Sequence, residues 1–550
     1  MMAGIATGAF KNAGLKSVKT GDGVAQIASE AFAGNKNLAD VTLGNNVAKI
    51  GKDAFKDCVA LKKIAVPASV VDFSAAAFSG CTSLATITVD AENKAYKTVG
   101  SAVYSADGTV LVVAGTAKNT TIAVADGTKV IAANAFDLAP EAIAIAFPAT
   151  LVNVEANALD VTAWYEASLG VVYAGSVLYK VKGEIADVVV AEGVKTVADG
   201  AVKNPAVKNI TLPSTLVEIG KNAFEGTGIT SVVIPDSVVS IASGAFKNNA
   251  ALKSVKLSAN LEKMGAGAFS GCTALAAIEI PAKLKVLSSD TFAGCTALAK
   301  VSLGAVEEIE QYAFEGCTAL KTITLPASVT VCEVLAFEGC TALEKILVDK
   351  ANKVYSSTKD GVVLCANEEG KFDTIAIYPA GKKGAYAVPA EITKIADKAF
   401  YNCDALTAIT FAEGFDSIGN EAFFDCDSIK SIEMPDSARH IGDYAFASCD
   451  NLRYFKVINN LTDYADNAFD GCYYFNYDAV DIKVEDNYGV IIGVIVGVFA
   501  IIGIVWYFVY NKKQKKIQQE IIEKNAIAEE LAAMKLKEQE EAKKAEEETV

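Results

Sequence analysis

The sequence predicts a solenoid, a chain wound into stacked coils, because one short pattern recurs along most of its 550 residues. Residues 306–329 carry the pattern as VEEIEQYAFEGCTALKTITLPASV, with an Ala-Phe pair, a Gly-Cys pair and a closing Leu-x-x-Ile-x-Leu-Pro run. Neighbouring copies of the phenylalanine lie 22 or 23 residues apart, except across three longer gaps. Such a fixed period is typical of solenoids, because one unit cannot bury its apolar face whereas stacked units can. The repeat phenylalanines are Phe10, Phe32, Phe55, Phe78, Phe136, Phe224, Phe246, Phe269, Phe292, Phe314, Phe337, Phe400, Phe423, Phe446 and Phe469.

Within one unit, the alternation of residues 322–325 predicts a short strand. Ile323 and Leu325 are expected to point inward and Thr322 and Thr324 outward, because successive side chains of a strand face opposite sides. Phe314 is the large core residue of the unit. We therefore expect a β-strand-rich repeat solenoid with short helical turns, in which each coil gives one strand to a long parallel sheet.

The repeated x-x-Ile-Gly-x-x-Ala-Phe-x-x-Cys-x-x-Leu-x-x-Ile-x-Leu-Pro pattern resembles the BspA-type leucine-rich repeat over roughly residues 4–472. This repeat is found on surface proteins of mucosal bacteria and parasitic protists. The resemblance implies the solenoid fold, and the family offers no catalytic residues to transfer. It also implies extracellular partners, since BspA-like proteins are implicated in binding host matrix proteins and other cells.

The charge of the chain is −16 at pH 7, which argues against nucleic-acid binding because that function requires a basic surface. The residues after Tyr510 include nine lysines and ten glutamates, so the region before them carries about −15. A region with this net charge is expected to repel anionic lipid and DNA.

Ten of the twelve cysteines occupy one slot, three residues after the repeat phenylalanine position. Free cysteine behaves as a small apolar residue, and no Cys-x-x-Cys pair suggests a zinc site. Side chains stacked in one slot point the same way, which disfavours disulfides. We expect reduced, buried thiols at Cys58, Cys81, Cys272, Cys295, Cys317, Cys340, Cys403, Cys426, Cys449 and Cys472, with Cys332 and Cys365 outside the slot.

The three longer gaps are β-rich islands near residues 90–128, 161–190 and 349–389. Two contain an Asp-Gly pair between β-branched runs, at Asp107-Gly108 and Asp360-Gly361, which is a hairpin signal. The islands are interpreted either as wider coils of the same sheet, which we favour, or as protruding contact surfaces. No signal-peptide pattern precedes the first repeat, and a truncated reading of the gene is one interpretation of that start.

After the repeat region of residues 1–472, residues 473–489 form an aromatic-rich segment that we interpret as a cap, although a membrane boundary is an alternative. Residues 490–510 are uncharged and would span about 31 Å as a helix, enough for a hydrocarbon core of about 30 Å. Four lysines follow within residues 512–516, so the positive-inside rule places the tail in the cytosol and the repeats outside. The expected location is the plasma membrane, with a single crossing.

Gly489, Gly493 and Gly497 form two overlapping Gly-x-x-x-Gly steps, which would let a second membrane helix approach closely. The alternative is that glycine is merely frequent in membrane helices. The cytoplasmic tail, residues 511–550, is rich in helix formers, and its weak apolar face favours a solvated helix over a coiled coil.

Known catalytic patterns are absent from the sequence. His440 is the only histidine, which excludes histidine clusters, and we find no phosphate-binding glycine loop. Asn119, Asn209 and Asn460 lie in glycosylation sequons, and this number of sequons is also expected by chance. The chain is therefore expected to be no enzyme and to need no cofactor or metal.

We expect a surface protein that presents its solenoid to extracellular proteins or other cells for adhesion or recognition. The alternatives are a signalling or endocytic receptor and an architectural coat protein without a specific ligand. The candidate ligand face consists of outward strand positions, among them Lys256, Glu279, Lys300, Thr322, Thr324, Glu433, Tyr454 and Lys456. Because the face is mostly small and polar, binding should depend on many weak contacts.

Overall fold

Most coils of the solenoid contain two strands, as a computed structural model shows for residues 3–116, 120–457 and 463–472. In the coil of Phe314, the short strand Glu308–Ile309 leads into the Ala-Phe turn, and the longer strand Thr322–Leu325 follows. The sequence predicted only the second strand. A two-residue strand carries too short an alternation to be recognised before its neighbours are known.

The longer strands stack in parallel as the long ladder, which hydrogen bonding divides into seven small sheets. Partners follow the repeat spacing, as in Ala277↔Lys300 and Thr322↔Lys345. The strands of the long ladder are Ser17–Lys19, Asp40–Thr42, Lys63–Val66, Thr86–Val89, Thr121–Ala123, Ala144–Ala146, Asp187–Val189, Asn209–Thr211, Ser231–Val233, Ser254–Lys256, Ala277–Glu279, Lys300–Ser302, Thr322–Leu325, Lys345–Val348, Gly384–Ala387, Leu406–Thr410, Ser431–Met434 and Tyr454–Val457.

The short ladder collects the strands that precede the Ala-Phe turns. These strands, apart from Asp463–Tyr464, place an apolar residue inward, so Ile309 is fully buried while Glu308 lies near the surface. The strands of the short ladder are Ala3–Ile5, Val24–Ile27, Lys49–Ile50, Val130–Ile131, Asn153–Val154, Thr196–Val197, Glu218–Ile219, Ser240–Ile241, Lys263–Met264, Val286–Leu287, Glu308–Ile309, Val331–Cys332, Lys394–Ile395, Ser417–Ile418, His440–Ile441 and Asp463–Tyr464.

The expectation of short helical turns is wrong for most coils. Among the described residues, helix occurs only at Ala163–Ala167 and in two 3₁₀ turns, Ala75–Phe78 and Val334–Phe337. In a regular coil, residues two before and two after the phenylalanine adopt positive φ, as Tyr312 (61°) and Gly316 (64°) do around Phe314. Left-handed residues interrupt a right-handed helix, so the turn stays irregular.

The two 3₁₀ turns have a common cause. In a regular coil, the phenylalanine amide donates to the next coil, as Phe314 N does to Ala336 O at 2.8 Å. The coils of Phe78 and Phe337 are followed by an island instead of a regular coil. Their turns keep a bond that regular turns also make, since Ser79 N donates to Ala76 O at 3.3 Å as Glu315 N does to Tyr312 O at 3.0 Å.

The islands are antiparallel insertions whose last strand joins the short ladder. The first island runs Tyr96–Val99, Ala102–Ser105 and Val110–Val113, the second Val171–Ala174 and Val177–Val181, and the third Tyr355–Ser357, Val363–Ala366 and Phe372–Ile377. Parallel pairing with the next coil follows, as in Val110↔Val130 and Thr374↔Lys394. The expected hairpins at Asp107-Gly108 and Asp360-Gly361 are both present.

The first and third islands are anchored by a buried asparagine that uses its whole amide. Nδ2 of Asn352 donates to the carbonyl oxygens of Pro326 and Val329 at 3.0 and 2.8 Å, and its Oδ1 accepts from Val354 N and Tyr355 N, both at 2.8 Å. Asn93 makes the equivalent four bonds in the first island. Four bonds from one side chain fix the angle at which the chain leaves the preceding coil.

The core follows a column of stacked repeat phenylalanines. Phe314 lies 5.7 Å from Phe292 and 5.5 Å from Phe337 between ring centroids, and it is fully buried. At the third island Tyr378 replaces the phenylalanine and stacks on Phe400 at 4.4 Å. The three stacked runs are Phe10 to Phe78, Phe224 to Phe337 and Tyr378 to Phe469.

The core divides into three clusters, and the divisions lie at the first and third islands. In the first island, Val103 belongs to the N-terminal cluster and its neighbour Tyr104 to the central one. In the third, Val363 packs with the central cluster and Leu364 with the C-terminal one. Both faces of these strands are therefore buried, and each of the two islands separates two neighbouring core clusters. This favours wider coils over protruding surfaces for these two islands.

The aromatic segment of residues 473–489, the membrane segment of residues 490–510 and the tail of residues 511–550 lie outside the described residues, as do Asn119 and Asn460. Within the described ranges, no helix combines the length and the apolar character that a membrane crossing requires.

Candidate recognition surface

The long ladder presents a continuous row of outward side chains. In the strand Thr322–Leu325, Thr322 and Thr324 are exposed, while Ile323 and Leu325 are buried, as the alternation predicted. We name the outward residues of the long-ladder strands the long face. Of the predicted ligand residues, Lys256, Glu279, Lys300, Thr322, Thr324, Glu433 and Tyr454 are exposed on this face, and Lys456 is half-buried there.

These residues fall into two groups along the face. Lys256, Glu279 and Lys300 lie on three successive strands of one hydrogen-bonded sheet. Glu433 and Lys456 face each other on neighbouring strands of the C-terminal coils and form an ion pair with 2.5 Å between Nζ and Oε1. The pair is solvent-exposed, so its contribution to stability is small.

A groove crosses the N-terminal part of the long face. It is lined by Asp40, Thr42, Lys63, Thr86 and Thr88, together with backbone and side chains of the same three strands. The groove is open, and its lining mixes charged and hydroxyl side chains with apolar ones such as Val41 and Ala65, which suits an extended ligand better than an enclosed apolar one.

The structure adds a row of residues that the sequence analysis overlooked. The residue just before a long strand is in most coils an exposed corner residue, and Lys16, Lys62, Lys208, Lys253, Lys321, Lys383, Lys430 and Arg453 occupy this position. The sequence signal of most of them is a basic residue directly after the repeat leucine or isoleucine, whereas Lys208 follows Val207 and Lys383 follows Lys382. It was missed because the corner precedes the alternating stretch that marked the strand.

The cysteine slot is a buried column of thiols with a common hydrogen bond. Sγ of Cys340 donates to the carbonyl oxygen of Phe314 in the preceding coil at 3.0 Å, and Cys426 does the same to Phe400. All twelve cysteines are free, and Cys472 and Cys365 are only partly buried. Cys332 takes the inward place of a short-ladder strand and Cys365 lies in a strand of the third island.

Burial makes several of the column thiols weaker acids. It raises the pKa of Cys58 from its ordinary 9.0 to about 11, and that of Cys81 and Cys295 to about 12. A hydrogen bond with Cys340, followed by burial, raises the pKa of Cys317 further. At neutral pH these groups are protonated, and a protonated thiol is a poor nucleophile.

Catalytic or metal-binding geometry is not found in the part of the chain that the structure describes. No group of three or more histidine, cysteine or acidic side chains there could hold a metal ion. His440 lies exposed on the short ladder, opposite Ser417 and away from the thiol column. Asn209 is exposed on the long face, and its Nδ2 donates to Asp187 Oδ1 at 2.7 Å.

Gly489, Gly493 and Gly497, the candidate helix-pairing residues, lie outside the described residues. Pairing through them stays a prediction. The same holds for ligand binding by the long face, whose position the structure defines.

Comparison with known proteins gives a family match over most of the repeat region. The profile described as "BspA type Leucine rich repeat region (6 copies)" matches residues 3–107, 113–227, 173–299, 300–358 and 385–485. A search of curated proteins found no match.

Several solved structures are similar. A leucine rich cell surface protein from Faecalibacterium prausnitzii is 25% identical, with 56% of this chain and 94% of that one covered and a TM-score of 0.45. A leucine-rich repeat protein from Bacteroides ovatus is 22% identical, with 78% of this chain and 80% of that one covered and a TM-score of 0.37. The pneumococcal vaccine antigen PcpA is 19% identical, with 54% of this chain and 78% of that one covered and a TM-score of 0.37.

Proposed function

Because this chain belongs to the BspA-type leucine-rich repeat family, we propose that it is a non-catalytic surface protein that uses its solenoid for adhesion or recognition. The observation that supports this best is the long face, where exposed polar side chains recur on successive strands. Solenoids offer extended surfaces of this kind to large partners.

The proposed binding mode is multivalent. Interface hot spots are enriched in Trp, Tyr and Arg, and Tyr454 is the one aromatic side chain on the described part of the long face. A single coil therefore offers a weak contact. Many equivalent contacts along one molecule, and several molecules held together, would raise the apparent affinity.

The proposed setting is the plasma membrane, crossed once by residues 490–510, with the repeats outside and the tail of residues 511–550 in the cytosol. The steps of Gly489, Gly493 and Gly497 would allow self-association and so supply the clustering that weak contacts need. Two alternatives predict different behaviour. A receptor requires a docking motif in the tail, and a coat protein would show no saturable binding.

The direct test is adhesion by a non-adherent host cell that displays the full chain. Replacing Thr322 and Thr324 with Glu, and in further variants Thr211 and Thr410, should weaken attachment to matrix proteins or to other cells. The matched control places glutamates at Thr330 and Thr393, which precede short-ladder strands. Equal loss in both sets, or no loss in either, would mean that the long face is not the contact.

Clustering is tested with the same full chain in two forms. Protein held singly in detergent micelles should bind a partner surface weakly, and protein reconstituted at high density in vesicles should bind it at least about a hundredfold more tightly. Tight binding by the single form would replace the multivalent mode with one discrete site.

A further inference from the structure

We propose that the long face binds acidic polysaccharides, that is, extended carbohydrate chains carrying carboxylate or sulfate groups. This proposal rests on the proposed function and names the class of ligand for its contact surface. It starts from a charge distribution that the overall composition conceals, since the chain as a whole carries −16.

The long face and its corner row are strongly basic. They carry fourteen lysine or arginine side chains and five acidic ones, an excess of nine positive charges. The basic residues are Lys16, Lys19, Lys62, Lys63, Lys208, Lys253, Lys256, Lys300, Lys321, Lys345, Lys383, Lys430, Arg453 and Lys456, and the acidic ones are Asp40, Asp187, Glu279, Glu344 and Glu433. The negative charge of the chain is therefore carried elsewhere, so the average does not predict how this face behaves.

The short ladder, in contrast, neutralises charges between neighbouring coils. Lys49 Nζ lies 2.6 Å from Asp72 Oδ2, and Lys285 Nζ lies 3.1 Å from Glu307 Oε1. On the long face the observed ion pair is that of Lys456 with Glu433. Of the fourteen basic side chains, the twelve lysines other than Lys456 have no carboxylate within ion-pair distance among the described residues. Arg453 and Lys456 are left out of that count.

The spacing of these lysines suits a ligand whose charges recur along a chain. Adjacent strands lie about 4.8 Å apart, so Lys256 and Lys300, two strands apart, are offset by about 10 Å along the ladder. The register Ser254↔Ala277↔Lys300 places them at opposite ends of their strands, and Lys253 and Lys321, three coils apart in the corner row, lie at the same end as Lys300. A polymer lying along the solenoid would meet several of these charges at once.

The surrounding side chains distinguish between polyanions. Nucleic-acid single strands are gripped by aromatic stacking as well as by charge, and Tyr454 is the only aromatic on the described long face. Thirteen of the fourteen basic residues are lysines, which act as point charges and lack the fork by which arginine binds phosphate. Ser, Thr and Asn side chains between them, such as Thr322 and Ser254, offer hydrogen bonds to sugar hydroxyls.

The experiment measures binding of the purified full chain to immobilised dextran sulfate and to hyaluronate, with uncharged dextran as the blank. Binding should occur to at least one charged polymer and should fall as salt is raised from 50 to 500 mM, because exposed charge pairs are screened. The two charged polymers separate sulfate from carboxylate recognition. Binding to uncharged dextran at equal strength would overturn the proposal.

Matched variants locate the site. Replacing Lys253, Lys256 and Lys300 with Gln should weaken binding to the charged polymer about fivefold or more. The control replaces Lys195, Lys263 and Lys394 of the short-ladder side with Gln, which removes the same charge, and should change binding by less than about twofold. Equal effects of the two triple variants would show non-specific attraction and overturn the proposal.

Competition separates this inference from the proposed function. Free dextran sulfate is added to cell-attached protein at a concentration that saturates the immobilised assay. If the protein stays attached to the cells, the inference fails while adhesion stands. If the chain binds the polymer and attaches to no cell or matrix, the inference stands and adhesion fails. If single-stranded DNA binds more tightly than either polysaccharide, the ligand class is wrong.

Discussion

At the scale of single residues, the coil is specified by a large residue and the small groups around it. Phe314 fills the space between two coils because the rings of Phe292 and Phe337 stack on either side. Tyr312 and Gly316 adopt positive φ on its two flanks and turn the chain back toward the long ladder. The thiol three residues after the phenylalanine donates to the backbone of the preceding coil, which links neighbouring coils at the same place.

Replacing Phe314 with Ala should lower the free energy of unfolding by about 3–5 kcal/mol, since it removes a fully buried ring from a packed column. Hydrogen exchange of the neighbouring coils should accelerate together. Val233→Ala is the control, because 61% of Val233 is exposed, and it should cost less than about 0.5 kcal/mol. Similar losses for the two variants would contradict a buried phenylalanine column.

The thiol column makes stability depend on alkaline pH. Burial raises the folded-state pKa of Cys295 from 9.0 to about 12, so the folded chain holds its proton where the unfolded chain has released it. This contribution is complete below about pH 9 and is lost as the pH rises toward 12. The free energy of unfolding should therefore fall above pH 9.

The measurement is chemical denaturation between pH 7 and pH 11. Cys295→Ala, which copies the alanine that Ala139 supplies in the same slot, should reduce the slope above pH 9. Thiolate absorbance from buried thiols such as Cys295 should also appear only well above pH 9, whereas Cys472, whose pKa is lowered by a hydrogen bond with Cys449, should ionise earlier. A thiol titration at its ordinary value in folded protein would refute the buried column.

At the scale of elements, the islands show how a repeat fold absorbs an irregular segment. At the first and third islands the preceding turn is a 3₁₀ turn and an asparagine fixes the departing chain. In all three islands the last strand takes a regular place in the short ladder. Backbone hydrogen bonding is thereby retained through the insertion.

Asn352→Ala should destabilise the third island by about 2–4 kcal/mol, because it removes four hydrogen bonds and leaves buried backbone groups unpaired. Asn209→Ala, at an exposed side chain with one hydrogen bond to Asp187, should change stability by less than about 0.5 kcal/mol. Limited proteolysis should cut the Asn352 variant within the third island first. Cleavage spread evenly over the repeats would show that the asparagine does not hold the island.

At the scale of the whole molecule, the repeat places equivalent residues side by side and so forms extended surfaces. A single outward threonine offers one weak contact, whereas the same position on successive strands forms the long face. One corner lysine adds a charge, and a corner row makes a basic stripe on an acidic protein. The membrane segment expected at residues 490–510 would orient these surfaces toward the cell exterior.

The topology is tested by protease added to intact cells that express the full chain. The repeats should be digested, and a fragment containing the lysine-rich tail of residues 511–550 should survive inside. One antibody against the tail and one against the repeats detect which part of the chain survives the protease. Loss of the tail with survival of the repeats would reverse the orientation, and release of the chain by carbonate would exclude a crossing.

The sequence by itself determined the coil, the buried phenylalanine and cysteine slots, the outward threonines and the island hairpins, because each depends on spacing within one or two repeats. The tertiary structure decided what depends on contact between coils. Glu308–Ile309 becomes a strand only when neighbouring coils supply its partners, and the turns stay irregular because their amides bond to the next coil. The basic face likewise emerges only when residues 22 or 23 apart are brought side by side, since composition averages over surfaces that folding separates.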